Sequence, residues 1–203
     1  MASDHANKKR EYEGRLQNKC PFCRQALPKT GEEVKKLKRV MKRIEANDAV
    51  AMCRMGGVRY KEGDYEAAFE YLTRAAALGD VEAHYQLSCL YHKGDGVEED
   101  EEKQVHHLTE AAIGGHPGAR HNLGCVEKDN DRYDKAAKHW IIAANLGYDD
   151  SLEGVKILYK HGYVSKEDFA AALRGHYAAI DATKSPQREE ATAFRAERDR
   201  RSI

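Results

Sequence analysis

Small and apolar residues return at fixed places along this chain. Ala51, Ala83, Ala119 and Ser151 hold one such place, so successive copies are 32, 36 and 32 residues apart. Four residues after these anchors stand Met55, Leu87, Leu123 and Val155, and seven after them Val58, Leu90, Val126 and Leu158. On a helix advancing about 100° per residue the three places share one stripe. The places two and nine after the anchor fall on the other side. They hold Cys53 and Tyr60, Tyr85 and His92, His121 and Lys128, Glu153 and Lys160. Each copy therefore predicts a first helix with one constant apolar face and one variable face. The variable face fits a binding groove lined by first helices and ordinary solvent exposure equally well.

A second helix is marked by paired alanines, Ala75-Ala76, Ala111-Ala112, Ala143-Ala144 and Ala178-Ala179. Leu72, Leu108 and Trp140 stand three residues before the first three pairs. A bulky residue followed by small ones lets two helix backbones approach while the knob fills the gap. Gly79, Gly115 and Gly147 come next, as stops that accept a left-handed conformation. Short turns are predicted at 62–65 (EGDY) and 129–133 (DNDRY), and a longer one at 93–102 (KGDGVEEDEE) supplies the extra four residues. Ser165 and Asp168 predict a capped start for the last second helix. Hairpins repeated at this period bury their apolar faces only against neighbours. The fold class expected is all-α, a right-handed superhelical solenoid of antiparallel helix pairs. Its copies are placed at 47–79, 80–115, 116–147 and 148–180.

The flanks differ. Residues 1–29 are polar and irregular apart from the Cys20-Pro21-Phe22-Cys23 turn, and a disordered segment is expected there. Thr30 and Glu33 form a capping-box pattern ahead of a stripe of Val34, Leu37, Met41 and Ile44. Residues 31–46 are thus predicted as an amphipathic helix that caps the array with a polar outer face. After Ile180 the composition turns polar, and 181–203 is expected to be a loose helix or frayed tail.

Charge changes this picture little. Net charge is zero, but residues 1–45 carry 13 Lys and Arg against 6 Asp and Glu, while 46–147 carry 11 against 18. Such blocks usually mean solvated helix faces, so nucleic acid is set aside as the expected partner. No stretch approaches the roughly 20 apolar residues of a membrane span. The N-terminus has no apolar core of the signal-peptide kind, and five cysteines without such a signal do not suggest a disulfide framework. A cytoplasmic or nuclear protein with reduced thiols is expected.

The block AHYQLSCLYHKGDGVEEDEEKQVHHLTEAAIGG resembles a Sel-one-like repeat, a relative of the tetratricopeptide repeat. Ala83, Leu87, Tyr91, Gly94, Gly96, Val97, Asp100, Ala111 and Ala112 carry the resemblance. ARHNLG (119–124) with YDKAAKHWIIAANLG (133–147) matches again without the long turn, and the first copy is shortened likewise. The fourth departs most, with Ser151 in place of alanine. The whole layout is also similar to diatom proteins in which a RING-type zinc finger ending Cys-Pro-x-Cys-Arg precedes a basic helix and such repeats. The repeats imply a superhelical scaffold for protein contacts; the finger implies ubiquitin ligase activity.

Cys20 and Cys23 have the spacing of half a zinc site, whereas a structural site needs four ligands and a RING finger eight. Only His5 stands upstream as a further candidate. The expectation is a chain begun late from a downstream methionine, or a decayed finger. No cofactor is expected, with zinc bound only if the missing ligands are supplied. The same turn occurs in redox sites, but its charged flanks and the nearby Pro28 lack the required sheet. His106 and His107 point about 100° apart and do not readily share one ion. Cys89 and Cys125 occupy the place where Gly57 also sits, which suggests a small side chain at a close helix contact rather than a nucleophile. The acidic run from Glu98 to Glu102 suits a helix start. No catalytic grouping stands out.

The function expected is therefore a non-enzymatic adaptor holding a protein or peptide partner along the first helices, with no small-molecule substrate and no membrane. Tyr60, Tyr85, His92, His121 and Lys128 are the expected contacts. A ligase with an incomplete finger is the alternative.

Overall fold

The computed structural model describes residues 31–184, without the side chains of 31–34, 36 and 37. Cys20 and Cys23, the 1–29 segment and the tail beyond Lys184 lie outside the described residues. The chain divides into two compact units, residues 1–51 and 52–203. Nine helices are present among the described residues, and no strands.

In the first unit α1 runs Gly31–Glu45. Ile44 of its expected apolar stripe is buried, and Met41 partly so. The capping pattern at Thr30 and Glu33 falls on residues or side chains outside the description. After α1 the chain turns through Asn47 at φ 56°, and Asp48 accepts a hydrogen bond from the Ala51 N–H at 3.0 Å. That bond starts α2, Ala49–Lys61, which continues into the second unit.

The second unit is an all-α helical-repeat solenoid. After α2 come α3 (Tyr65–Ala77), α4 (Val81–Lys93), α5 (Glu101–Ile113), α6 (Pro117–Asp129), α7 (Tyr133–Asn145), α8 (Asp149–Lys160) and α9 (Lys166–Thr183). From α3 onward each helix packs on its neighbours in sequence, and α7 also packs on α9. That local wiring is what stacked hairpins require. Several helix starts are capped by side chains, while those at Arg132 and Tyr148 are not. Asp80 accepts from Ala83 N–H at 2.8 Å, Asp100 from Lys103 N–H at 2.9 Å, and Ser165 from Asp168 N–H at 3.0 Å. Each such cap contributes about 1 kcal/mol. Helix ends use the expected glycines: Gly79, Gly115 and Gly147 have φ of 82°, 86° and 85°.

Packing follows the knob pattern. Leu72, Leu108 and Trp140 are all buried, as are the alanines three residues on. The place five after the anchor is the matching hole. A Cβ on Gly56 would lie 2.6 Å from Leu72 Cγ, and one on Gly124 would collide with the Trp140 ring. In the fourth pair the alanine expectation shifts: Ala178 is exposed, while Ala172 and His176 are buried. His176 takes a place that alanine holds in the earlier copies, its Nδ1 3.1 Å from the Ala144 carbonyl and its Nε2 3.1 Å from Asp149 Oδ1. A polar residue is tolerated at this buried place because both ring nitrogens are partnered.

Candidate interaction groove

The first helices are α2, α4, α6 and α8, and the junctions between them decide where a ligand could sit. Between α2 and α4 lies an open groove of about 610 Å³. Its floor is Leu72 and Leu90, its walls carry Val58, Gly57 and Cys89, and Arg54, Lys61 and Lys93 rim it. Gly57 keeps it open. A Cβ there would meet only Gln86 Oε1, at 3.5 Å.

The far end of this groove is organised by the longer turn after α4. Gly94 and Gly96 adopt φ of 69° and 73°. A Cβ on Gly96 would come within 2.6 Å of Tyr65 Cβ, so only glycine lets this turn lie against the start of α3. The turn brings Asp95 to Tyr60, whose hydroxyl donates to Asp95 Oδ2 at 2.9 Å and accepts from Lys93 Nζ at 3.0 Å. Arg59, next in sequence, does not line the groove; it is buried and pairs with Glu62 at 2.8 Å.

Of the five residues singled out from the sequence, Tyr60 lines the groove. Tyr85 is partly buried in the next junction, where its ring stacks on His116 at 4.2 Å between centroids. His116 caps α6 by accepting from Ala119 N–H at 3.0 Å and meets Glu82 at 3.2 Å. Burial pushes the Tyr85 phenol above its ordinary value. His121 is partly buried in the third junction, with Nδ1 2.8 Å from Ser151 Oγ and Nε2 3.5 Å from Cys125 Sγ. Burial pulls its pKa below the ordinary 6.5, and Asp150 opposes that pull. Its ring lies 5.0 Å from that of Tyr148. His92 and Lys128 are exposed, and Lys128 pairs with Asp129 at 3.1 Å. The structure thus separates the five along successive junctions rather than gathering them at one point.

The place two after the anchor differs from the sequence pattern: Cys53 is buried, and Tyr85 and His121 are partly so. A first helix has neighbours on two flanks, so its side facing the next copy is covered although it points away from the main stripe. The place of Gly57, Cys89 and Cys125 differs too. At Gly57 and Cys89 it faces the groove, and the close helix contacts are made by Gly56 and Gly124 one residue earlier. Arg54, Lys61 and Lys93 were not singled out from the sequence. Their signal was a cation beside each small residue of the groove wall, visible only once two copies are laid side by side.

Elsewhere His84 and His107 face each other with Nδ1 atoms 3.0 Å apart. Burial, with His84 and His106 nearby, pushes His107 down to about 4. Among the described residues no group of three or more His, Cys, Asp or Glu side chains could hold a metal ion. No described helix is long and apolar enough to cross a membrane.

An all-α array of stacked helical repeats is the architecture of an interaction scaffold. The Sel1 repeat model matches residues 45–80, 81–116 and 119–148, just over half of the chain. The chain belongs to the Sel1 repeat family. The pair α8–α9 lies beyond the matched residues. Chitin synthase regulatory factor 2 of Schizosaccharomyces pombe is 30% identical over 82 residues, 40% of this chain and 16% of that protein. The match therefore spans about a sixth of the relative's length. Among solved structures, a protective antigen of uropathogenic Escherichia coli with an SLR fold aligns at a TM-score of 0.59 and 21% identity, over 77% of this chain and 34% of that one. A Sel1 repeat protein from Oxalobacter formigenes aligns at 0.55 and 24%, over 60% of this chain and 98% of that one. At these identities the two structures establish the fold.

Proposed function

We propose that this protein is a non-enzymatic adaptor whose first helices hold a segment of a protein partner. The observation that carries the reading is the open groove between α2 and α4 within a Sel1 repeat array. Tyr60, Tyr85, His92, His121 and Lys128 are the proposed contacts along α2, α4 and α6. Aromatic rings offer flat anchors of low conformational cost, and His and Lys supply donors. Similarity to a chitin synthase regulatory factor supports a regulatory adaptor over a catalyst. The amphipathic α1 as an end cap belongs to the same proposal.

Affinity capture by the tagged full chain, read by mass spectrometry, tests it. Tyr85→Ala combined with His121→Ala should weaken recovery of the captured partner at least tenfold while the circular dichroism signal stays unchanged. Equal recovery by the double variant would remove the line of contacts through Tyr85 and His121. The ligase reading is carried by Cys20 and Cys23 alone. Substoichiometric zinc in the purified full chain would set it aside, because a RING finger holds two ions.

A further inference from the structure

Resting on that reading, we propose that the α2–α4 groove is the subsite for one bulky apolar side chain of an acidic partner segment. Its volume of about 610 Å³ falls among the roughly 300–1,000 Å³ of sites that enclose a ligand. The floor, Leu72 and Leu90, is buried and apolar, and Val58 on the wall is 38% exposed with nothing polar to satisfy. Such a surface gains by covering an apolar group. The rim sets the sign of the charge. Arg54, Lys61 and Lys93 are exposed there, and no carboxylate lines the groove.

Carboxylates close behind the lining are already engaged. Asp95 accepts from the Tyr60 hydroxyl at 2.9 Å, and Glu82 accepts from Gln86 Nε2 at 2.9 Å. Arg54 and Lys61 enter no ion pair among the described residues. A segment with acidic residues flanking its anchor therefore brings charge where the groove lacks it, and a basic segment is repelled. The neighbouring junctions do not compete for the anchor. The second is filled by the Tyr85–His116 stack and the third by His121 against Ser151.

Fluorescence anisotropy on the purified full chain tests this with three labelled dodecapeptides. One alternates Glu and Ser around a central Phe; one replaces the Phe by Ser; one replaces every Glu by Lys. The acidic Phe peptide should bind, each of the others at least tenfold more weakly, and its affinity should fall as salt rises. Gly57→Leu fills the groove without touching the rim and should weaken binding at least tenfold. Lys61→Glu with Lys93→Glu should do the same by reversing the rim, and it decides the matter alone if the glycine variant loses helical signal. No binding of the acidic Phe peptide, equal binding of the lysine peptide, or indifference to both variants overturns the proposal. The wider reading fails separately. If Tyr85→Ala with His121→Ala releases the captured partner and Gly57→Leu does not, the first-helix face stands and this subsite falls. The reverse pattern keeps the subsite and removes the longer line of contacts.

Discussion

The junction of α2 with α4 and that of α6 with α8 join equivalent helices, yet one is open and the other closed. In the third junction Trp140 reaches from α7 between two glycines. A Cβ on Gly154 would lie 2.6 Å from its ring, and one on Gly124 would overlap it. The indole N–H donates to the His121 carbonyl at 3.0 Å, and His121 Nδ1 meets Ser151 Oγ at 2.8 Å. In the first junction the knob is Leu72, smaller and without a donor, and Gly57 puts no side chain where Cys125 packs against His121. One repeat geometry thus yields a rigid seam or a recess, according to the size of two side chains. The closed junction packs its own side chains together, and the open one leaves an apolar recess.

Removing the indole should break the closed seam with the largest effect. Trp140→Ala leaves a cavity facing two glycines that cannot move in to fill it, and the His121 carbonyl loses a donor. Large aromatic truncations in cores cost about 3–5 kcal/mol. Urea unfolding followed by circular dichroism measures it, since Trp140 is the chain's single tryptophan and fluorescence is lost with it. Leu72→Ala at the open junction should cost about 2–5 kcal/mol, toward the lower part of that range because the groove already borders it. A Trp140→Ala loss under about 1 kcal/mol would mean that the indole does not hold the seam.

The two adjacent glycines of α2 sharpen the comparison further. Gly56 faces Leu72 Cγ at 2.6 Å from a built Cβ, so Gly56→Ala forces the knob to move and should destabilise by about 1–3 kcal/mol. Gly57 faces open space, its nearest atom 3.5 Å away, and alanine is the better helix former. Gly57→Ala should therefore stabilise by up to about 1 kcal/mol. Opposite signs one residue apart are the expected melting result. Two losses would show that the recess closes over Gly57 in solution.

The hairpin repeat was legible because periodicity, knob-and-alanine pairs and helix-stop glycines all agree in phase. Leu72, Leu108 and Trp140 were named as knobs from their spacing, and all three are buried. The holes that receive them were not. Gly56, Ser88 and Gly124 hold one place, but a wheel shows only which face a residue is on, not which atom of another helix meets it. The same limit misjudged the place two after the anchor, where the next copy covers Cys53 and His121. The groove is a vacancy between two copies, and its signature is a missing side chain at Gly57. In the fourth pair His176 broke the alanine pattern, and its two nitrogen partners come from α7 and the start of α8, far away in sequence.

His121 gives the smallest and most specific contrast between the two junctions. Burial makes its ring harder to protonate in the folded chain than at its ordinary 6.5, despite the pull of Asp150 the other way. Below 6.5 the unfolded chain therefore binds more protons than the folded one. Stability is complete above 6.5 and falls as the pH drops below it. The ring is only partly buried, so solvent moderates the effect. Burial also pulls His107 and His139 below the ordinary value, so the difference between variants is the quantity to read. Unfolding free energies from pH 7.5 down to 5 should decline less steeply for His121→Gln than for the unaltered chain. Tyr60→Phe, which alters the open junction where no histidine lines the groove, should keep the unaltered slope. Equal slopes for all three would mean that His121 is hydrated in solution, and that the third junction is no drier than the first.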